Sequence, residues 1–194
     1  MRACMPFGTF ILCLLFALPS GNVMADEDDA KYSKTINVFH QAGASSWFVD
    51  NSYGYAVFPT IGKAGYVVGG AYGKGRVYEA GNYTGDTTIT QLSVGFQLGG
   101  QAYSQIIFFE DKRAYDEFTG GNFEFSADAS AVAITAGASA SASTSGSSAG
   151  ASGGQNNATT AGGYYRGMAT FIVAKGGLMY EVALAGQKFS YTPR

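Results

Sequence analysis

The apolar positions of this chain change rhythm twice. Phe7 to Leu18 is an almost unbroken apolar run, ended by Pro19-Ser20-Gly21-Asn22. From Asp28 to Ala44 the spacing becomes helical: Tyr32, Ile36 and Phe39 fall at i, i+4 and i+7. Acidic residues open this stretch, where the helix dipole favours them, and Gly43 offers a stop. A second short turn over 45–49 carries Trp47 and Phe48.

Beyond Tyr53 the pattern becomes strand-like and is punctuated by glycine. Tyr55 to Phe58 ends at Pro59, and Ala64 to Tyr72 and Gly75 to Glu79 flank an expected turn at Gly73-Lys74. Thr87 to Leu98 follows a polar turn over Gly81 to Asp86, and Gln101 to Glu110 comes next. Phe123 to Ser139, Tyr164 to Lys175 and Leu178 to Tyr191 complete the strands, the last two expected to join through a tight turn at Gly176-Gly177. One helix interrupts the series, with Asp111 as N-cap, Lys112 to Phe118 as its body and Gly120 as C-terminal cap. Residues 139–163 are almost entirely Ala, Ser, Gly, Thr and Asn, with little apolar bulk to bury, and read as a flexible loop.

Several strands keep one face small. Gly65, Val67, Gly69 and Ala71 alternate with Tyr66, Val68, Gly70 and Tyr72; Ser93, Gly95 and Gln97 alternate with Val94, Phe96 and Leu98; Ala127, Ala129, Ala131 and Ala133 repeat the pattern. Small faces let another layer approach closely, and glycines relieve strong twist. The fold class expected is mainly β with a few short helices. It would be a compact, strongly curled antiparallel sheet, barrel-like or two-layered, with the N-terminal helix packed on it.

The leading apolar run reads as a secretory signal over 1–25. Arg2 supplies the positive start, and Val23 and Ala25 give small residues at −3 and −1 of a cut before Asp26. A dozen apolar residues are short of the roughly 20 that span a bilayer as a helix. Cys4 and Cys13 both lie inside this leader, and Leu12 before Cys13 argues against a lipid-anchored cysteine. The mature chain, 26–194, then has no thiol for a disulfide, a metal or catalysis. It reads as one domain, long enough for a sizeable core. Of 12 basic residues only Arg2 is in the leader, which leaves 11 against 14 acidic and a net charge of −3. Without basic runs, general nucleic-acid binding is not expected.

Chemistry for catalysis is sparse. His40 is the single histidine and there is no Gly-x-Ser-x-Gly elbow, so a serine triad has little to draw on. One imidazole without thiolates makes a poor transition-metal site, and no cofactor is expected. Gly69 to Arg76 fails the phosphate-loop spacing and lacks Ser or Thr after Lys74. Glu110, Asp111, Asp116 and Glu117 read as a solvated helix face.

A set of ordered motifs carries more information. Tyr53-Gly-Tyr-Ala-Val-Phe-Pro59, Gly62-Lys-Ala-Gly65, Gly69-Gly-Ala-Tyr-Gly-Lys-Gly75, Gln91-Leu-Ser-Val-Gly-Phe-Gln-Leu-Gly-Gly100 and Phe108-Phe-Glu-Asp111 come first. Phe118-Thr-Gly-Gly121, Asp128-Ala-Ser-Ala-Val132 and Lys175-Gly-Gly-Leu-Met-Tyr-Glu181 follow. In this order they resemble the SYLF lipid-binding domain family, from about Thr35 to Tyr191. The resemblance implies binding rather than catalysis. Its eukaryotic members bind phosphoinositide membranes, fungal ones also bundle actin, and bacterial ones are envelope proteins with lipid affinity. Here the stretch from Asp26 to Ala44 offers only Lys31 and Lys34 beside four acids, and actin is foreign to a periplasm. What carries over is lipid binding in general, without phosphoinositide specificity or actin.

The expected protein is therefore an exported, non-enzymatic lipid-binding protein of the bacterial envelope, periplasmic, with association at the membrane periphery. The candidate contact residues are Lys31, Lys34, Trp47 and Phe48, with the turn cations Lys63, Lys74 and Arg76. Membrane lipids or their headgroups are the expected partners. The alternative is a structural or protein-interaction module of the envelope, with 139–163 as tether. A small outer-membrane barrel fits less well, given small and polar residues on both strand faces.

Overall fold

The computed structural model describes residues 23–65, 68–94, 101–126, 129, 131–134, 163–175 and 184–194. Two helices open it, α1 (Val23–Gln41) and α2 (Ser46–Asn51). Four long strands follow: β1 (Gly54–Gly65), β2 (Val68–Glu79), β3 (Asn82–Val94) and β4 (Gln101–Phe109). Then come α3 (Lys112–Thr119), β5 (Phe123–Glu124), β6 (Val132–Ile134), β7 (Met168–Lys175) and β8 (Lys188–Pro193). The strands form one curled sheet in the order β5-β8-β3-β2-β1-β4-β7-β6. All neighbours are antiparallel except β6, which runs parallel to β7 at the edge. A parallel pair needs a long crossover, and the residues between 134 and 168 supply the length. The mainly β, curled antiparallel expectation is borne out.

Both faces of the sheet bear apolar cores. On the inner face Phe58, Ile61, Val77, Ile89, Tyr103, Ile107, Phe109 and Phe189 pack together, closed over by Tyr115 and Phe118 of α3 and by Leu184. Gln105 bonds Gln187 at 3.0 Å inside this core, a fully buried polar pair. On the outer face α1 and α2 cover Val57, Ile106, Phe108 and Phe171 with Tyr32, Phe39 and Phe48. Phe48 stacks on Phe108 at 5.7 Å and tilts against Phe171 at 5.1 Å. Asp111 caps α3 as expected, its Oδ1 accepting the Ala114 N–H at 2.8 Å.

Several local expectations are corrected. Gly73-Lys74 is no turn: both lie mid-strand in β2, paired with Ile61 and Thr60 of β1. Glycine serves there because a Cβ on Gly73 would sit 2.7 Å from Ile61 Cγ1 and 3.1 Å from Ile89 Cγ2. The polar segment 81–86 is mostly strand. The reversal is the two-residue turn Ala80-Gly81, both at positive φ, between the pair Glu79 and Asn82. β1 runs through Pro59 rather than ending there, because a register shift between Val57 and Thr60 removes the need for its missing N–H. The Ser104 hydroxyl donates to the freed Pro59 carbonyl at 2.8 Å. The strand over 123–139 reduces, among described residues, to β5 and β6. β7 starts at Met168 rather than Tyr164, after a turn in which Arg166 and Gly167 take positive φ. Of the last expected pair, the described portions β7 and β8 are not neighbours: β7 lies between β4 and β6, while β8 lies between β3 and β5. α1 is shifted toward the N-terminus of the expected 28–44 helix. The signal segment 1–22, the turn at 176–177 and all but Gly163 of the 139–163 loop lie outside the described residues.

Candidate functional site

Helices α1 and α2 cover only part of the outer face, and among the described residues the remainder is open. Period-two alternation puts Thr60 and Gly62 of β1, Tyr72 and Lys74 of β2, Thr88, Thr90 and Leu92 of β3, and Lys188 of β8 on that side. Cross-strand register sets Lys74 beside Thr60 and Thr88, and Tyr72 beside Gly62 and Thr90. Tyr72 is 51% exposed and Leu92 86%, unusual for large apolar side chains on a strand.

Lysines converge on this open region from two elements besides β2. Lys175, at the end of β7, donates to Thr60 Oγ1 at 2.7 Å. That threonine is the cross-strand partner of Lys74, so the two lysines flank one hydroxyl. Burial lowers the Lys175 pKa, and the positive charges of Lys31 and Lys34 on α1 lower it further. Among the described residues none of these four lysines pairs with a carboxylate. Their mutual repulsion is therefore not neutralised by an ion pair among the described residues. One consequence is chemical: burial and the neighbouring charges favour the neutral, nucleophilic form of the Lys175 amine. Limiting acetylating reagent at mildly alkaline pH should label Lys175 faster in wild type than in the double variant Lys31→Gln, Lys34→Gln, which removes the neighbouring charges. Peptide mapping that finds equal labelling in the two proteins would remove the argument for a concentrated field.

The other sequence candidates are dispersed. Phe48 is a core residue, 4% exposed, and its expected contact role is replaced by packing beneath α2. Trp47 beside it is 58% exposed and meets the Phe48 ring edge at 5.2 Å. Lys63 is not a turn cation: it stands opposite Ala71 on the inner face, 9% exposed, on the side of the sheet away from Lys74. Arg76 is on the outer face but under α1, bonded to Asp29 and lying over the Tyr32 and Tyr83 rings at 4.3 and 4.8 Å. Burial alone would favour its neutral form; the bonds to Asp29 and Tyr78 outweigh this and raise its pKa. Arg76 thus pins α1 to the sheet. Of the expected set, Lys31, Lys34 and Lys74 gather around Lys175 and Thr60, while Phe48, Lys63 and Arg76 are taken up in packing.

Sequence reasoning missed Thr60, Tyr72, Leu92 and Lys175. The two-residue spacing of Tyr72 and Lys74 was a usable signal, obscured by reading Gly73-Lys74 as a turn. Nothing in the local sequence links Lys175 to α1. His40 meets Asp50 at 3.5 Å, with both side chains solvent-exposed. Among the described residues no group of three or more His, Cys, Asp or Glu could hold a metal ion, and no helix is long and apolar enough to cross a membrane.

Residues 90–192, more than half of the chain, match the family model Ysc84, described as Las17-binding protein actin regulator. The chain is also similar to Beta cell expansion factor A of Aeromonas veronii, at 25% identity over 171 residues. That match covers 87% of this chain and 54% of the relative, so the chain spans about half the length of that protein.

Proposed function

Because the chain belongs to the Ysc84 family, the SYLF domains its motifs resemble, we propose that it is a non-enzymatic lipid-binding protein of the bacterial envelope. In this reading it is exported by its N-terminal signal and engages anionic membrane surfaces through the open part of its outer face. The observation that carries the reading is the set Lys31, Lys34, Lys74 and Lys175, unpaired with carboxylates among the described residues, with exposed Tyr72 one strand step from Lys74 and exposed Leu92 one step further. Each cation near an anionic bilayer contributes about 1 kcal/mol. An aromatic ring with a polar tip suits the headgroup boundary, and a leucine adds apolar area to bury. Actin and Las17, which the family description names, stay outside the proposal, since an exported domain does not meet cytoplasmic partners.

Co-sedimentation with phosphatidylglycerol-containing vesicles tests it. Binding is expected to anionic vesicles and not to phosphatidylcholine alone, and to weaken as the screening length falls from about 8 Å at physiological salt to about 3 Å at 1 M. Equal binding to both vesicle types, or to neither, rejects the electrostatic surface.

A further inference from the structure

Beside the lysines, the outer face carries an open cleft of about 710 Å³ lined by Gly62, Gly70, Tyr72, Thr90, Leu92 and Lys188. Its volume falls within the roughly 300–1,000 Å³ common for small-molecule sites. The floor is bare. A Cβ on Gly62 would meet nothing within 4 Å, and one on Gly70 only the Gln91 carbonyl oxygen at 3.5 Å. The walls are the exposed Tyr72 and Leu92, offset because Tyr72 stands opposite Gly62 and Thr90 while Leu92 stands opposite Gly70.

The order of these residues along the strands is polar, then apolar. On β1, Thr60 precedes Gly62; on β2, Lys74, Tyr72 and Gly70 follow one another on the same face. Each two-residue step covers roughly 7 Å, so the cation row lies one step from the glycine floor. The backbone of that floor is paired in the sheet, and its amides place no hydrogen-bonding demand on a hydrocarbon laid across it. At the far side Lys188 is neutralised by Glu124 at 3.5 Å, which leaves the net positive charge at the Lys74 and Lys175 end. A second copy of this chain on the same face would bring that end's like charges together, which disfavours it. The charge complementarity selects an anionic amphiphile.

We infer that the cleft holds one acyl chain of an anionic phospholipid whose headgroup rests on Lys74 and Lys175. The inference rests on the membrane-surface reading for the sign of the headgroup. It adds that a single lipid is bound stoichiometrically, in a defined place.

Native mass spectrometry after incubation with phosphatidylglycerol vesicles and their removal tests it, with vesicle co-sedimentation in parallel. Wild type should carry one lipid per chain. The double variant Gly62→Leu, Gly70→Leu fills the floor where space exists for side chains, and should melt as wild type and still co-sediment. Its lipid affinity should fall about tenfold, read as the rise in lipid concentration needed to half-load it, the loss of roughly 1.4 kcal/mol of buried chain. Gly43→Leu, outside the cleft and likewise with nothing within 4 Å of its Cβ, should keep the lipid. A double variant that retains its lipid, or a wild type that co-sediments without carrying one, overturns the cleft and leaves the surface reading standing. If wild type fails to co-sediment, the surface reading falls; a lipid adduct lost on filling the floor would still support the cleft, and no adduct would overturn it too.

Discussion

Replacing Lys31, Lys34, Lys74 and Lys175 together by glutamine is expected to weaken partition onto phosphatidylglycerol-containing vesicles by about three orders of magnitude. The estimate sums about 1 kcal/mol for each cation near an anionic surface, roughly 4 kcal/mol in all. Three observations make these lysines act as a unit. Lys31 and Lys34 lower the Lys175 pKa after burial has done so, Lys175 reaches Thr60, and Thr60 neighbours Lys74 across the strand pair. No carboxylate partners are lost among the described residues, and four like charges cease to repel, so the melting temperature should hold or rise. That separates a binding defect from a folding one. Lys112→Gln is the matched control, since Lys112 sits on α3 and is already paired with Asp116. Its partition should match wild type. Quadruple-variant binding within about threefold of wild type, measured at low salt where screening is weak, would show that another surface carries the contact.

Gly75→Val is expected to destabilise the fold by about 3 kcal/mol or more, at the upper end of core over-packing. A Cβ at Gly75 would lie 2.5 Å from Phe58 Cδ1, 2.6 Å from its Cε1 and 2.8 Å from the Val57 carbonyl oxygen. Neither neighbour can retreat. Phe58 is fully buried and packed against Phe189 at 5.7 Å, and the Val57 carbonyl belongs to the backbone of β1, held between β2 and β4. β2 itself is clamped by β1 and β3, so strand displacement disrupts ladders on both sides. At about 2–4 °C per kcal/mol for a chain of this size, the melting temperature should drop by roughly 6–12 °C. Gly62→Val supplies the contrast, because its Cβ projects into open space. It should stay within about 0.5 kcal/mol of wild type, as surface changes usually do. Thermal melts in which both valine variants behave alike would show that the inner face is looser than this packing implies.

These two glycines show why part of the structure was readable and part was not. Alternation of small and large residues announced strands with one thin face and so a curled sheet. The expected strand Ala64 to Tyr72 is split, however, because the chain reverses between β1 and β2 and Gly65 pairs with Gly69. Gly73 also suggested a turn at Gly73-Lys74, because a local reading cannot tell glycine used for backbone freedom from glycine used for want of space. Ile61 and Ile89, each at least a dozen residues away, decide that question. The helix α3 with its Asp111 cap was legible because capping is a contact between neighbours in sequence. That β7 and β8 are not neighbours in the sheet was not legible locally, because strand pairing is set by contacts distant in sequence.

The sequence by itself determined the mainly β class, the curl, the covering N-terminal helix and the family. All of these rest on periodicity, capping and motifs carried within short spans of chain. Which cations share a surface was left to the tertiary structure. Lys63 and Lys74 are eleven residues apart, in adjacent strands, yet register sets them on opposite faces. Arg76, two residues from Lys74 on the same face, is taken up by Asp29 and two tyrosine rings as the tie that holds α1. Lys175 joins Lys31 and Lys34 only because β7 is drawn in beside β4 while α1 lies across the sheet. Side-chain direction alternates with every residue, and pairing is fixed by contacts distant in sequence. A charged surface built from three separate elements therefore exists only once the sheet has closed its register.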